Sequence, residues 1–141
     1  MADIKTILVP IDFSENTGKL LEYAAGFAED LGAKLTLINV VDTSVGLGYA
    51  TLNKFEGNIK KDMEAKMAAL SDQYKDIFST SGNTVVIGDA VDSIVAAAKN
   101  CDMVVIATHG YKGLEKILLG SVAERVLKAS PCPVVVFNPY K

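Results

Sequence analysis

The sequence has one histidine, two cysteines and no tryptophan. With His109 alone, no His-based dyad and no zinc cluster can form. The cysteines, Cys101 and Cys132, stand next to or inside apolar runs. A secreted disulfide scaffold would be denser in cysteine. Both are read as reduced, small core residues, and the expected compartment is the cytoplasm. Fourteen basic residues face 17 acidic ones, for a net charge of −3, with no dense Lys/Arg block. A nucleic-acid partner would need a basic footprint, so none is expected. No apolar stretch approaches the ~20 residues that span a bilayer. The opening Met1 to Lys5 lacks the basic start and apolar run of a signal peptide. Runs of Pro, Ser and Gln are too sparse for disorder.

What is present fits one domain, residues 1–141, with one core. Five short apolar runs stand out: Ile7-Leu8-Val9, Leu35 to Val41, Val85-Val86-Ile87, Met103 to Ile106 and Val134 to Phe137. They are β-branched and continuous rather than alternating, the pattern of strands buried on both faces of a parallel sheet. Helical spacing separates them. Leu20, Ala24, Phe27, Ala28 and Leu31 repeat at three and four until Gly32 stops the run. Ile59, Met63, Met67, Leu70, Tyr74 and Ile77 form a longer stripe, read as core packing. Further helices are expected from about Asp92 to Lys99 and about Val122 to Ala129, the latter ended by Pro131 and Pro133. The alternation predicts an α/β fold: an open five-stranded parallel sheet, order 3-2-1-4-5, with helices on both faces. Asp42 to Asn53, with Gly46 and Gly48, reads as a mobile loop at the binding edge or a plain connector.

In such sheets ligands bind at the carboxyl ends of the strands, where the winding reverses. Three segments there are rich in polar residues and glycine: Val9 to Ser14, Asn39 to Asp42, and Ile106 to Gly110 with the loop onward through Gly113 to Gly120-Ser121. Ser121 and Glu124 have capping-box spacing, which predicts that Ser121 caps the last helix. A helix start offers free N–H groups and a favourable dipole to an anion, and glycine lets a phosphate approach closely. Spacing alone leaves a phosphate cradle and a plain cap both open. No G-x-x-x-x-G-K-[ST] and no G-x-G-x-x-G after the first strand is present, which removes the P-loop and standard Rossmann readings.

The run His109-Gly110, nine residues, Gly120-Ser121, then Val122 to Val126 and Pro131-Cys132-Pro133-Val134, resembles the universal stress protein family, as does the opening Ile7 to Ser14. The resemblance covers essentially the whole chain and extends to the family's ATP-binding members, whose pattern is G-x-x-G, nine residues, G-[ST]. It implies a Rossmann-like fold of the adenine nucleotide α-hydrolase kind and a non-catalytic ATP site. Pro10 and Asp12 would lie by adenine and ribose, and Val40 would meet the base through its backbone. Ile106 and Ala107 would flank ribose and phosphates, while Gly110, Gly120, Ser121 and Val122 would cradle the phosphates. No catalytic residue and no protein-held metal is implied. Asp12 with Asp42 could hold a divalent cation through the nucleotide, although a ribose contact and a strand-end turn are the simpler roles. The resemblance also implies a homodimer paired through Pro133 to Phe137. Ala107 stands where the pattern has its first glycine, and it favours the alternative, a nucleotide-free dimeric interaction module.

Overall fold

A computed structural model describes residues 3–42, 49–108 and 119–140, with the side chains of 49–57 left aside. Five strands alternate with four helices: β1 Thr6–Pro10, α1 Thr17–Leu31, β2 Lys34–Asp42, α2 Tyr49–Tyr74, β3 Thr84–Gly88, α3 Ala90–Ala98, β4 Met103–Ala107, α4 Ser121–Ala129 and β5 Val134–Phe137. All pairs are parallel and the order is β3-β2-β1-β4-β5, as expected.

The continuous apolar runs are strands because both faces of the sheet are covered. On β1, Ile7, Leu8 and Val9 are each 0% exposed, which no one-sided sheet achieves. Ile7 and Val9 join Leu20, Leu21, Ala24 and Ala28 of α1 and Met67 of α2 in one cluster. Leu8 joins Val91, Ile94 and Ala98 of α3 with Ala123 and Val126 of α4 in the other. The apolar spacing of α1 therefore faces the sheet, and Gly32 ends it at φ 66, with its N–H turned back to the carbonyls of Ala28 and Glu29.

The second helix departs from the expected bounds at both ends. It begins at Tyr49, so residues 49–53 are helical rather than loop, and 43–48 lie outside the described residues. It ends at Tyr74, whose carbonyl takes the N–H groups of both Ile77 and Phe78 in a turn. Ile77 is consequently 65% exposed and does not belong to the core stripe. Cys101 and Cys132 are half-buried free thiols in the α3/α4 cluster. Burial, with Cys132 and Asp102 nearby, raises the Cys101 pKa and keeps it a thiol at neutral pH.

Candidate functional site

The strand order reverses between β1 and β4, so the carboxyl ends of these neighbours define the crevice. The β1 end is fastened from several sides. The Ile11 N–H donates to the Ile38 carbonyl at 2.8 Å, one rung beyond Pro10. The next bond comes from a side chain: the Asn39 amide donates to the Ile11 carbonyl at 2.8 Å. The chain then turns. Asp12 Oδ1 accepts from the Ser14 N–H at 2.9 Å and from the Thr17 hydroxyl at 3.5 Å. Phe13 takes φ 60, a conformation that costs a bulky side chain on the order of 1–3 kcal/mol. Its ring packs against the α1/α2 cluster, with Lys66 Nζ 5.9 Å from the ring centroid. The result is an exposed carboxylate whose Oδ1 is engaged by its own turn; among the described residues Oδ2 has no partner.

The β4 end is tied to the start of α4. Thr108 donates its N–H to the Phe137 carbonyl at 2.8 Å, and its own carbonyl accepts the Gly120 N–H at 2.6 Å. Gly120, not Ser121, is the N-cap, at φ −70 and ψ 159, and it gives the helix no side-chain bond. Ser121 is the first helical residue, exposed, so its expected capping role is not realised. The capping-box spacing does not apply because the extended Gly120 takes the cap position and puts Ser121 inside the helix, while Glu124 pairs with Lys128 at 3.1 Å, one turn on. Gly120 also needs no left-handed backbone here; what glycine supplies is close approach. Since its N–H is taken by Thr108, the amides open to an anion belong to the first turn beyond it.

The remaining expected residues fall as follows. Pro10 is half-buried at the β1 end. Val40 and Ile106 turn their side chains into the α3/α4 cluster, Ile106 being 5% exposed, and Ile106 pairs with Val136 of β5. Ala107 packs against the α1/α2 cluster, and among the described non-glycine residues only Phe13 has a positive φ. Alanine is therefore compatible with the backbone at 107. Val122 is exposed on α4. Gly110, His109 and Gly113 lie outside the described residues. Among the described residues no group of three or more His, Cys, Asp or Glu could hold a metal ion, and no helix is long and apolar enough to cross a membrane.

Asn39 is expected from the sequence only as part of a polar strand end, with no role of its own. It is 5% exposed, and among the described residues its Oδ1 has no partner. An unpaired buried acceptor costs about 1–3 kcal/mol. A polar side chain in the midst of Leu35, Leu37 and Val41 was the available signal, since burial on both faces asks for an apolar residue there.

Comparison with known proteins agrees with this architecture. Residues 3–138 match the model of the Universal stress protein family. Universal stress protein MJ0577 of Methanocaldococcus jannaschii is 32% identical over 151 aligned positions, covering 94% of this chain and 93% of the relative. The solved structure of MJ0577 superposes with a TM-score of 0.86 at 28% identity, covering 97% of each chain. A universal stress protein solved in complex with cAMP superposes with a TM-score of 0.72 at 23% identity, covering 98% of this chain and 99% of that one, and shares the fold.

Proposed function

The chain belongs to the universal stress protein family, and from that premise we propose that it binds an adenine nucleotide, ATP, and holds it without turnover. The observation that carries this reading is the crevice itself. A helix start at Gly120, with no side-chain cap among the described residues, is tethered to the end of β4, and the Asp12 carboxylate stands at the end of β1, the neighbouring strand. The two ends offer complementary chemistry: N–H groups and a helix dipole for phosphates, and a carboxylate acceptor for hydroxyls. Pro10 and the Val40 backbone then border the base, and Ile106 and Ala107 the ribose. Gly110 and Gly120 admit the phosphates, which take hydrogen bonds from Ser121 and Val122. A divalent cation is carried by the phosphates rather than by the protein. The complex of a relative with cAMP supports an adenine nucleotide as the ligand class.

Holding without turnover follows from the donor set. Backbone amides and one hydroxyl stabilise phosphate charge, while a single histidine and no basic residue directly before Ser121 leave no base–nucleophile pair in the motif segments. One domain, a cytoplasmic setting and a homodimer complete the proposal. β5 lies at the sheet edge with all four residues half-buried, Phe137 stacking on Tyr23 at 4.6 Å. An apolar edge of this kind invites a second copy, across a two-fold axis.

Titration calorimetry with ATP, AMP and cAMP, with chromatography of the incubated nucleotide, tests the reading. The expected result is saturable binding of ATP and recovery of intact ATP. Hydrolysis faster than in buffer would overturn the non-catalytic part. No binding by wild type or by Ala107→Gly would favour the nucleotide-free dimeric module, which the same β5 edge supports.

A further inference from the structure

We propose that Asn39 is a positioning residue: its buried amide clamps the end of β1 so that the following turn presents the Asp12 carboxylate to the ligand. The inference rests on the proposed contact between Asp12 and ligand hydroxyls. Its grounds are in the hydrogen bonds. β2 runs beside β1 in regular register from Thr6↔Lys34 to Pro10↔Ile38, and backbone pairing ends with the Ile11 N–H. At that point the Asn39 amide takes the Ile11 carbonyl. The clamp sits one residue before Asp12 and two before Phe13, the residue at φ 60. A strained turn persists only where its surroundings fix it on both sides. Downstream, the Ser14 N–H and the Thr17 hydroxyl hold Asp12, and Thr17 is anchored in the first turn of α1. Upstream, Asn39 is the side chain that holds the turn.

Packing alone does not call for asparagine at this position. The adjoining cluster is apolar, and Asn39 Oδ1 is left without a partner inside it. An aliphatic side chain would fill the space with no orphaned acceptor. What it could not do is donate to the Ile11 carbonyl. The amide therefore serves the geometry of the turn at the expense of the core.

Asn39→Leu, with Asn39→Val as a strand-compatible second variant, tests the proposal in the full chain. Two readouts apply: hydrogen exchange of the Ser14 amide by NMR, and affinity for ATP beside 2′,3′-dideoxy-ATP, which lacks the ribose hydroxyls. The expected result is at least a tenfold faster Ser14 exchange. ATP should weaken about tenfold while the dideoxy analogue changes by less than about twofold. Equal loss of both nucleotides would show a structural role alone and overturn the inference, as would unchanged Ser14 exchange. Should both variants fail to fold, the wild-type protein still decides: Ser14 and Asn39 side-chain amide protons exchanging as fast as in an unstructured peptide overturn the clamp, and slow exchange of both supports it. A wild-type protein that binds no nucleotide refutes the proposed function, and Ser14 exchange in the variants then judges the clamp separately.

Discussion

The chain leaves β1 through a turn to which Asp12, Ser14 and Thr17 contribute side chains and which Asn39 fastens from β2. It enters α4 through Gly120, where among the described residues no side chain caps the helix. α3 shows what a closed helix start looks like in the same molecule: the Asp89 carboxylate accepts the Asp92 N–H at 2.8 Å. The contrast follows from what each end has to offer. A carboxylate on a loop has many orientations, and only a dense set of hydrogen bonds selects one. Backbone N–H groups at a helix start are already aligned by the helix, and a side-chain cap would consume them. One end gains by being fastened and the other by being left open.

The strongest way to break this contrast is to close the open end. Gly120→Val should abolish measurable ATP binding, because a branched side chain blocks the close approach of a phosphate. Gly120 is extended at φ −70 and ψ 159, a region valine favours, so fold and dimer should survive. Calorimetry beside circular dichroism and sedimentation checks both halves. If binding persisted, the phosphates would lie elsewhere.

Removing the presented carboxylate comes next. Asp12→Ala deletes the hydroxyl acceptor and the turn bond to Ser14. A hydrogen bond to a charged group contributes about 1.5–3 kcal/mol, so ATP should weaken roughly 10- to 100-fold. The dideoxy analogue should be affected much less.

Ser121→Ala sharpens the contrast further. As a first-helical residue rather than a cap, Ser121 should lose about tenfold in ATP affinity with almost no change in thermal stability. A true N-cap would cost about 1 kcal/mol of stability on the same change. A stability loss of that size, with affinity intact, would return Ser121 to the capping role. The smallest effect belongs to Ala107→Gly. Its methyl packs against the α1/α2 cluster, so affinity should stay equal or rise a few-fold, while stability falls by about 0.5–1 kcal/mol.

Much of this architecture can be read from the chain directly, for reasons that lie in particular residues. Ile7 to Val9 and Val104 to Ile106 are apolar at every position because helices cover both faces, and that continuity is visible without coordinates. Gly32 marks the end of α1 because only a left-handed residue closes it. What escapes a linear reading is contact at long range or competition at short range. Asn39 meets a carbonyl 28 positions away, a distance no periodic pattern spans. Ser121 and Glu124 satisfy a spacing rule, but Gly120 takes the cap position and Glu124 pairs with Lys128 one turn on along the same face. The start of α2 at Tyr49 is obscured by the glycines at 46 and 48, which argue for a loop. That the turn after β1 and the end of β4, to which Gly120 is tied, border one crevice is legible only through the strand order, which sets these two strand ends side by side.

The central place of β1 also has a consequence for how the molecule is made. Ile7 pairs with Leu35 on one side and with Met103 on the other. During synthesis β1, β2 and β3 can associate as soon as residue 88 has left the ribosome, but the far side of β1, a largely apolar strand, then remains an open edge of unpaired N–H and C=O groups. It closes only when residues 103–107 emerge, so the pairing of greatest sequence separation seals the middle of the sheet. Fragments that stop between 88 and 103 would carry that edge into solution and self-associate, whereas the completed chain buries it.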